Sequence, residues 1–492
     1  MTNLTSRRAL YLLAGLIATT TFIRLALGLF FFGFHTGDDV EILQAGFLRA
    51  FGRPYEPWSI RNLLVSDLLV TPALAAGRVF GVASPRVPVW LASVPFVLLA
   101  SINIGLVFAL ARRFFAQNGA ALLAATLYAF HWIPLGYGST VYPRTASTTC
   151  VLLAALLLSG TGRVWREALA GGLMAVALAV RYSEAIFLFP MLAALWLRAE
   201  PVRNRLARSA AFVGGLGVLV LFTVGLEDWL TWGKPFSSLV AFAEFTLVER
   251  QSSSLDPAQP WYWYLWRLPK WLPLTLLPFL WRSRRAPHAL TIALYVLLPL
   301  LFLSLIHQKQ LRYLQGVIPF LILLATAGAW SLWVDGRRRL TAALCVLSVL
   351  LGLGGITFLS KKSMAAVQAA QDLTAQGVTA VALSQSWAYG GTLFLGSKVA
   401  VLDLPYPLRA PELEQALVRT SCVALYKEDL EVNPELSRLL DRHGFVKARG
   451  YRWGRSKPVE VWQLPRPPAQ SPDVLLASSG SDRKAAARRR GE

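Results

Sequence analysis

A chain of 492 residues that is 55% apolar and only 15% charged has too little polar surface for a soluble protein of its size. With 17 Trp and a mean hydropathy of +0.48 it reads as a polytopic membrane protein. The formal net charge of +22 does not point to nucleic acid, because the arginines gather between apolar segments rather than along one polar face. Cys150, Cys345 and Cys422 are far apart, and the first two lie in apolar segments, which argues against a disulfide framework or a zinc site.

Arg7 and Arg8 precede an apolar run that reaches about residue 34 without a small-residue cleavage site, so it is predicted as a retained first helix. FHTGDDVEILQAG follows at once and sets Asp38, Asp39 and Glu41 where that helix leaves the bilayer. The stretch 61–81 mixes Arg and Asp into apolar residues and is predicted as an amphipathic interfacial helix in the first outer loop. Further apolar segments lie at 87–111, 119–137, 145–161, 168–180, 185–197, 209–226, 271–281, 288–306, 313–334 and 340–359, which predicts about eleven spans. Segments 168–180, 185–197 and 271–281 are shorter than a bilayer and are expected to be tilted, broken or re-entrant.

Basic groups follow alternate segments: Arg112-Arg113, Arg163 with Arg166, Arg198 to Arg208, Arg282 to Arg285, and Arg337 to Arg339. With a cytoplasmic N-terminus, the preference of positive charge for the inside places all five there. The outer loops then hold GDDVE, Tyr142-Pro-Arg144, RYSE at 181–184 and HQKQLR at 307–312. Trp261, Trp263, Trp266 and Trp271 read as an interfacial aromatic belt.

Composition changes after Lys361-Lys362. SMAAVQAAQDLTAQG reads as a helix ending at Gly377, and VTAVALS, KVAVLDLP, SCVALYK and VEVWQL read as strands alternating with helices PELEQALVRT and PELSRLLDRHG. Residues 363–465 are therefore expected to form a small α/β domain after a transmembrane domain of residues 1–362. An odd number of spans puts that domain on the extracytoplasmic side. The basic Pro/Ser/Ala-rich tail 466–492 is expected to be disordered.

Acids and bases on one outer edge suit transfer of a sugar from a lipid phosphate. A carboxylate must take the acceptor's proton, and cations must hold the departing phosphate. Asp38 and Asp39 are candidates for the first role; His307, Lys309 and Arg312 for the second, with Arg181 a further candidate. Each has a plainer explanation. Acids after a membrane helix are ordinarily a wet loop, Lys309 and Arg312 could be headgroup anchors, and Arg181 with Glu184 could be a structural ion pair.

The order of these motifs resembles the GT-C glycosyltransferases, and among them the mannosyltransferases of N-glycan and GPI-anchor assembly. TGDDVEILQAG is similar to their first-loop His-Pro-Asp-Glu motif, with Asp38 on the Asp. PYEPWSIRNLL is similar to an Ile-Arg-Ser-Tyr segment through Arg61, and STVYPRTAST more faintly to a Thr-Arg-Thr segment through Arg144. HQKQLRYLQGVIP resembles a late His-Lys-Glu-x-Arg-Phe motif through His307, Lys309, Arg312 and Tyr313. Departures are the early His35, the missing Pro, Asp39 for Glu, the inserted Gln308, and Gln310 in place of an acid.

The resemblance implies a GT-C-like α-helical membrane protein of about eleven transmembrane helices with a small C-terminal extracytoplasmic α/β domain. It implies inverting transfer of a sugar, mannose among the candidates, from a polyprenyl-phosphate donor to an extracytoplasmic glycan, lipid or protein acceptor. Asp38 would be the general base with Asp39 beside it, and His307, Lys309, Arg312 and Arg181 would hold the donor phosphate. Arg61, Glu41 and Arg144 would support the acceptor or the site. No cofactor and no obligatory metal are implied, and the expected location is the plasma (inner) membrane with the site facing outward. A lipid or solute transporter, or a relative that binds lipid-linked sugars without transferring them, is the alternative; the absence of an internal repeat and the gathering of charge at one depth weigh against transport.

Overall fold

The computed structural model describes residues 5–30, 32–52, 56–79, 86–160, 163–248, 259–356, 363–386, 390, 392–395, 399–405, 408–454 and 456–465. The chain divides into two compact units, Met1–Lys362 and Ser363–Glu492. The tail 466–492 lies outside the described residues.

The first unit is helical. Its elements begin with α1 (Ser6–Phe30), α2 (Gly37–Phe51), α3 (Thr71–Val79), α4 (Arg86–Phe115), α5 (Asn118–Ala129) and α6 (Trp132–Tyr137). They continue with α7 (Pro143–Leu158), α8 (Val164–Val180), α9 (Leu188–Trp196), α10 (Val202–Val220), α11 (Glu227–Trp232) and α12 (Ser237–Ala243). Helices Ala289–Leu305, Ile318–Val334 and Arg338–Gly354 complete the bundle.

Among the described residues, three helices are long and apolar enough to cross a membrane: Ser6–Phe30, Arg86–Phe115 and Val202–Trp232, the last joined through a π-helical turn at Leu221–Leu226. Shorter apolar helices occupy five further predicted segments, 119–137, 145–161, 185–197, 288–306 and 313–334. Segment 168–180 is one continuous helix, whereas 185–197 begins with a 3-10 turn and 271–281 breaks at Leu274–Leu276. In lipid there is no hydrophobic drive between apolar helices, so close approach must supply attraction. Helices α8 and α10 meet this need with glycine. A Cβ on Gly171 would lie 1.9 Å from the Phe212 carbonyl oxygen, and one on Gly215 would lie 1.9 Å from that of Ala168.

Three local expectations change. Asp38 and Asp39 open helix α2 rather than lying in a loop, with Thr36 as N-cap and Gly52 closing the helix at φ 63°. Of stretch 61–81, residues 64–79 are helical; residues 61–63 have no regular secondary structure and bond to other elements, and residues 80–81 lie outside the described residues. Trp271, expected in an aromatic belt, is instead buried, its indole donating to the Tyr264 carbonyl at 2.9 Å.

The second unit holds a five-stranded sheet in the order β2-β1-β3-β5-β4, with β1 at Ala380–Ser384, β2 at Ala400–Leu404, β3 at Cys422–Tyr426, β4 at Val446–Tyr451 and β5 at Val459–Gln463. Strand β1 runs parallel to β2 and β3, while β5 is antiparallel to β3 and β4. Helix Met364–Ala375 ends just before Gly377, which takes φ 68°. Strand β4 was not legible in the sequence. It is the sheet edge, and its Lys447 and Arg449 are polar residues that discourage further pairing.

Candidate active site

Asp38 sits in the first turn of α2, where a helix N-terminus favours negative charge. Three guanidiniums converge on its 8%-exposed carboxylate. Arg61 Nη2 donates to Oδ1 in a short ion pair, Arg181 Nη1 donates to Oδ2 at 2.7 Å, and Arg312 Nη2 lies 3.7 Å from Oδ2. These arginines come from the irregular segment before the π-helical turn at Ser66–Val70, the end of α8, and the 3-10 turn Leu311–Leu314. Burial alone would push Asp38 up, but Arg181, Arg61 and Arg312 outweigh it and hold the carboxyl well below the usual range.

Asp39 faces a different environment. Its Oδ2 accepts the His35 N–H at 3.0 Å and the Thr140 hydroxyl at 3.5 Å, and its Oδ1 accepts the Thr36 hydroxyl at 3.0 Å. Burial pushes it up to about 7, the His35 and Thr36 bonds opposing this and the charge of Asp38 adding to it. Asp39 thus ties together the turn that presents Asp38.

The supporting residues are equally specific. Glu41 Oε1 accepts the Trp58 N–H at 2.7 Å, the Arg61 N–H bonds back to the Trp58 carbonyl at 2.9 Å, and the Arg61 guanidinium lies 5.4 Å from the centre of the Trp58 ring. Glu41 therefore fixes the turn that delivers Arg61. Arg144 pairs with Glu184 at 2.6 Å and with the Ser183 hydroxyl at 2.9 Å, and stacks over Tyr313. Glu184 is therefore the partner of Arg144, which leaves Arg181 for Asp38. The alternative reading of Arg181 and Glu184 as a structural ion pair is not met among the described residues.

The late motif divides. Arg312 joins Asp38, whereas Lys309 Nζ donates to the carbonyls of Gln259, at 2.9 Å, and Ile306. The exposed His307 accepts the Gln259 N–H on its own carbonyl at 3.1 Å. Neither residue forms an ion pair among the described residues. Both fasten the turn that carries Arg312. No group of three or more His, Cys, Asp or Glu side chains is placed to hold a metal ion among the described residues.

Sequence reasoning missed Asp228, fully buried at the end of the Val202–Trp232 helix. It accepts the Ser238 N–H at 2.8 Å and the Ser238 hydroxyl at 2.6 Å, and that hydroxyl meets Tyr182 Oη at 2.5 Å. Asn62 Nδ2 reaches Asp228 at 3.4 Å, and the Leu63 N–H reaches Glu227 at 3.3 Å. The neighbours of Arg61 and Arg181 are thus pinned to one anchor. Two adjacent acids closing an apolar helix were the available signal.

The profile of the Alg9-like mannosyltransferase family matches residues 41–376, more than half of the chain. The chain belongs to this family. GPI mannosyltransferase 3 of Drosophila melanogaster is 23% identical over 262 residues, a match covering 48% of this Alg9-like chain and 43% of that relative. The fold is also that of solved glycosyltransferases. ArnT from Cupriavidus metallidurans in the apo state superposes with a TM-score of 0.62 at 11% identity, covering 91% of this chain and 97% of that one. The same ArnT bound to undecaprenyl phosphate gives 0.55 at 12% identity, covering 93% and 98%. The apo oligosaccharyltransferase of Archaeoglobus fulgidus gives 0.54 at 11% identity, covering 87% and 70%. At these identities the likeness is one of fold, and it accords with the long apolar helices of this Alg9-like chain.

Proposed function

We propose that this protein transfers a sugar, mannose by family, from a polyprenyl-phosphate donor to an extracytoplasmic glycan, lipid or protein acceptor by a single inverting displacement. One observation carries the reading: an acid at a helix N-terminus is gathered with three arginines from segments far apart in sequence. In the reaction the acceptor hydroxyl oxygen forms a bond to the anomeric carbon as the bond from that carbon to the phosphate oxygen breaks. The proton passes to Asp38, and the leaving electron pair stays on polyprenyl phosphate beside Arg61, Arg181 and Arg312. One carboxylate is sufficient, because a single displacement forms no covalent glycosyl-enzyme. Guanidiniums suit the phosphate because their planar forks match its oxygens. Lys309 and His307 serve by holding the turn of Arg312. The α/β unit is proposed to lie on the extracytoplasmic side, as the alternation of basic loops predicts. The family match, and the undecaprenyl phosphate bound by the similarly folded ArnT, support the donor class.

The deciding experiment supplies purified protein with a panel of radiolabelled polyprenyl-phosphate sugars and envelope extracts. Wild type should form product from one donor, and Asp38→Asn should lose roughly two to four orders of magnitude in rate. An Asp38→Asn protein keeping more than about a tenth of wild-type turnover would remove Asp38 as the base.

A further inference from the structure

The charges around Asp38 do not balance. Arg61, Arg181 and Arg312 bring three positive charges to one carboxylate, and Asp38 Oδ1 and Oδ2 take up the nearest guanidinium nitrogens of all three. Among the described residues, Asp39 is the neighbouring acid, and its oxygens are committed to the His35, Thr36 and Thr140 donors. Glu184 is neutralised by Arg144, while Glu41, which accepts the Trp58 N–H, also acts on Arg61 by its charge and offsets part of the excess. Arg61 Nε and Arg312 Nε are buried with no acceptor among the described residues. A buried donor without a partner costs about 1–3 kcal/mol, so both nitrogens are open to a further acceptor, as the Nε of Arg144 is too. A phosphate supplies several oxygens and the missing negative charge.

Resting on the proposed transfer reaction, we infer that Asp38 occupies the donor-phosphate site as its internal counter-ion. The incoming phosphate must displace it from the guanidiniums before it can act as base. The consequence is order. A carboxylate locked in charge-assisted bonds to Arg61 and Arg181 is a weak base, so an acceptor that arrives first finds no proton acceptor. When the donor phosphate takes those bonds, it frees the Asp38 oxygens and sets a like charge beside them, which raises their affinity for a proton. Donor binding thus switches on the base, and the acceptor hydroxyl is activated only in the presence of the group it will attack. The same competition weakens the donor, because part of its binding free energy goes to displacing Asp38.

The test measures binding of undecaprenyl-phosphate mannose and of undecaprenyl phosphate to purified wild type, Asp38→Asn and Asp38→Ser in nanodiscs. Thermal melting accompanies each titration. Removing the counter-ion should tighten both ligands by about tenfold or more in whichever variant melts as a folded protein. Unchanged affinity in the folded variant overturns the inference, because Asp38 would not then compete with phosphate. Weaker binding also overturns it and makes Asp38 a latch that shapes the arginines. Loss of transfer is scored separately. A variant that binds donor tenfold more tightly yet still transfers sugar keeps the counter-ion and ends the base assignment.

Discussion

Two buried ion clusters in the helical unit use the same residue types to opposite ends. Arg144 and Glu184 form a one-to-one pair, 2% and 1% exposed, joined by Ser183 and covered by the Tyr313 ring. Asp38 meets three arginines that remain 10–22% exposed at their side chains. The first arrangement is neutral and closed; the second sets three guanidiniums on one directly paired carboxylate and keeps an opening to solvent. Charge balance, more than burial, separates a structural pair from a site that awaits an anion.

The contrast is tested most severely at the neutral pair. Replacing Glu184 with Gln should strand the Arg144 guanidinium and cost about 3–5 kcal/mol of stability, seen as a large fall in melting temperature and yield. Pairing Arg144→Met with Glu184→Leu should recover much of that loss, since the desolvation cost goes with both charges. If the double variant melts no higher than the single one, the pair does more than fill space.

The cationic site should respond in affinity rather than in stability. Arg312→Ala is expected to weaken polyprenyl-phosphate binding by about ten- to a hundredfold, with Arg312→Lys a partial rescue, because an ammonium lacks the guanidinium fork. Lys309→Ala should instead lower the melting temperature while changing donor affinity little, as its ammonium holds the Gln259 and Ile306 carbonyls. Titrations that weaken equally in the Ala variants of both residues would return Lys309 to the phosphate.

A smaller effect distinguishes the two neighbouring acids. Asp39 is raised from 3.8 to about 7 by burial, so the folded protein holds its proton more tightly than the unfolded chain. Its contribution to stability is therefore complete below the unfolded value and is lost as pH rises through about 7. Between about pH 4 and 7 the melting temperature should fall, and Asp39→Asn, neutral throughout, should flatten that decline. Parallel melting curves for the two proteins would assign the slope to other groups.

Most of the candidate site is legible in the amino-acid sequence, because its residues belong to short motifs at the ends of apolar segments. Asp38, Arg181 and Arg312 are examples, and each is ionisable where burial without a partner is costly. Their pairing is not legible there. RYSE alone allows Arg181 to bond Glu184 three residues on, and only the approach of α7 brings Arg144 to take Glu184 away. Lys309 and Arg312 look equivalent in sequence, yet backbone carbonyls claim one and Asp38 draws the other. Asp228 gave a faint signal, since its partners Ser238, Tyr182 and Asn62 come together only through the meeting of three segments.

Membrane character, the helical segments and the alternation of strands and helices after residue 362 all follow from the sequence alone, because apolar length and periodicity are local properties that act within one element. So does the set of residues able to do acid–base and phosphate chemistry. Which of those charges meet is decided by packing. Ion pairing falls off steeply with distance and burial, so residues 23 and 143 positions from Asp38 become its partners only once the helices have packed.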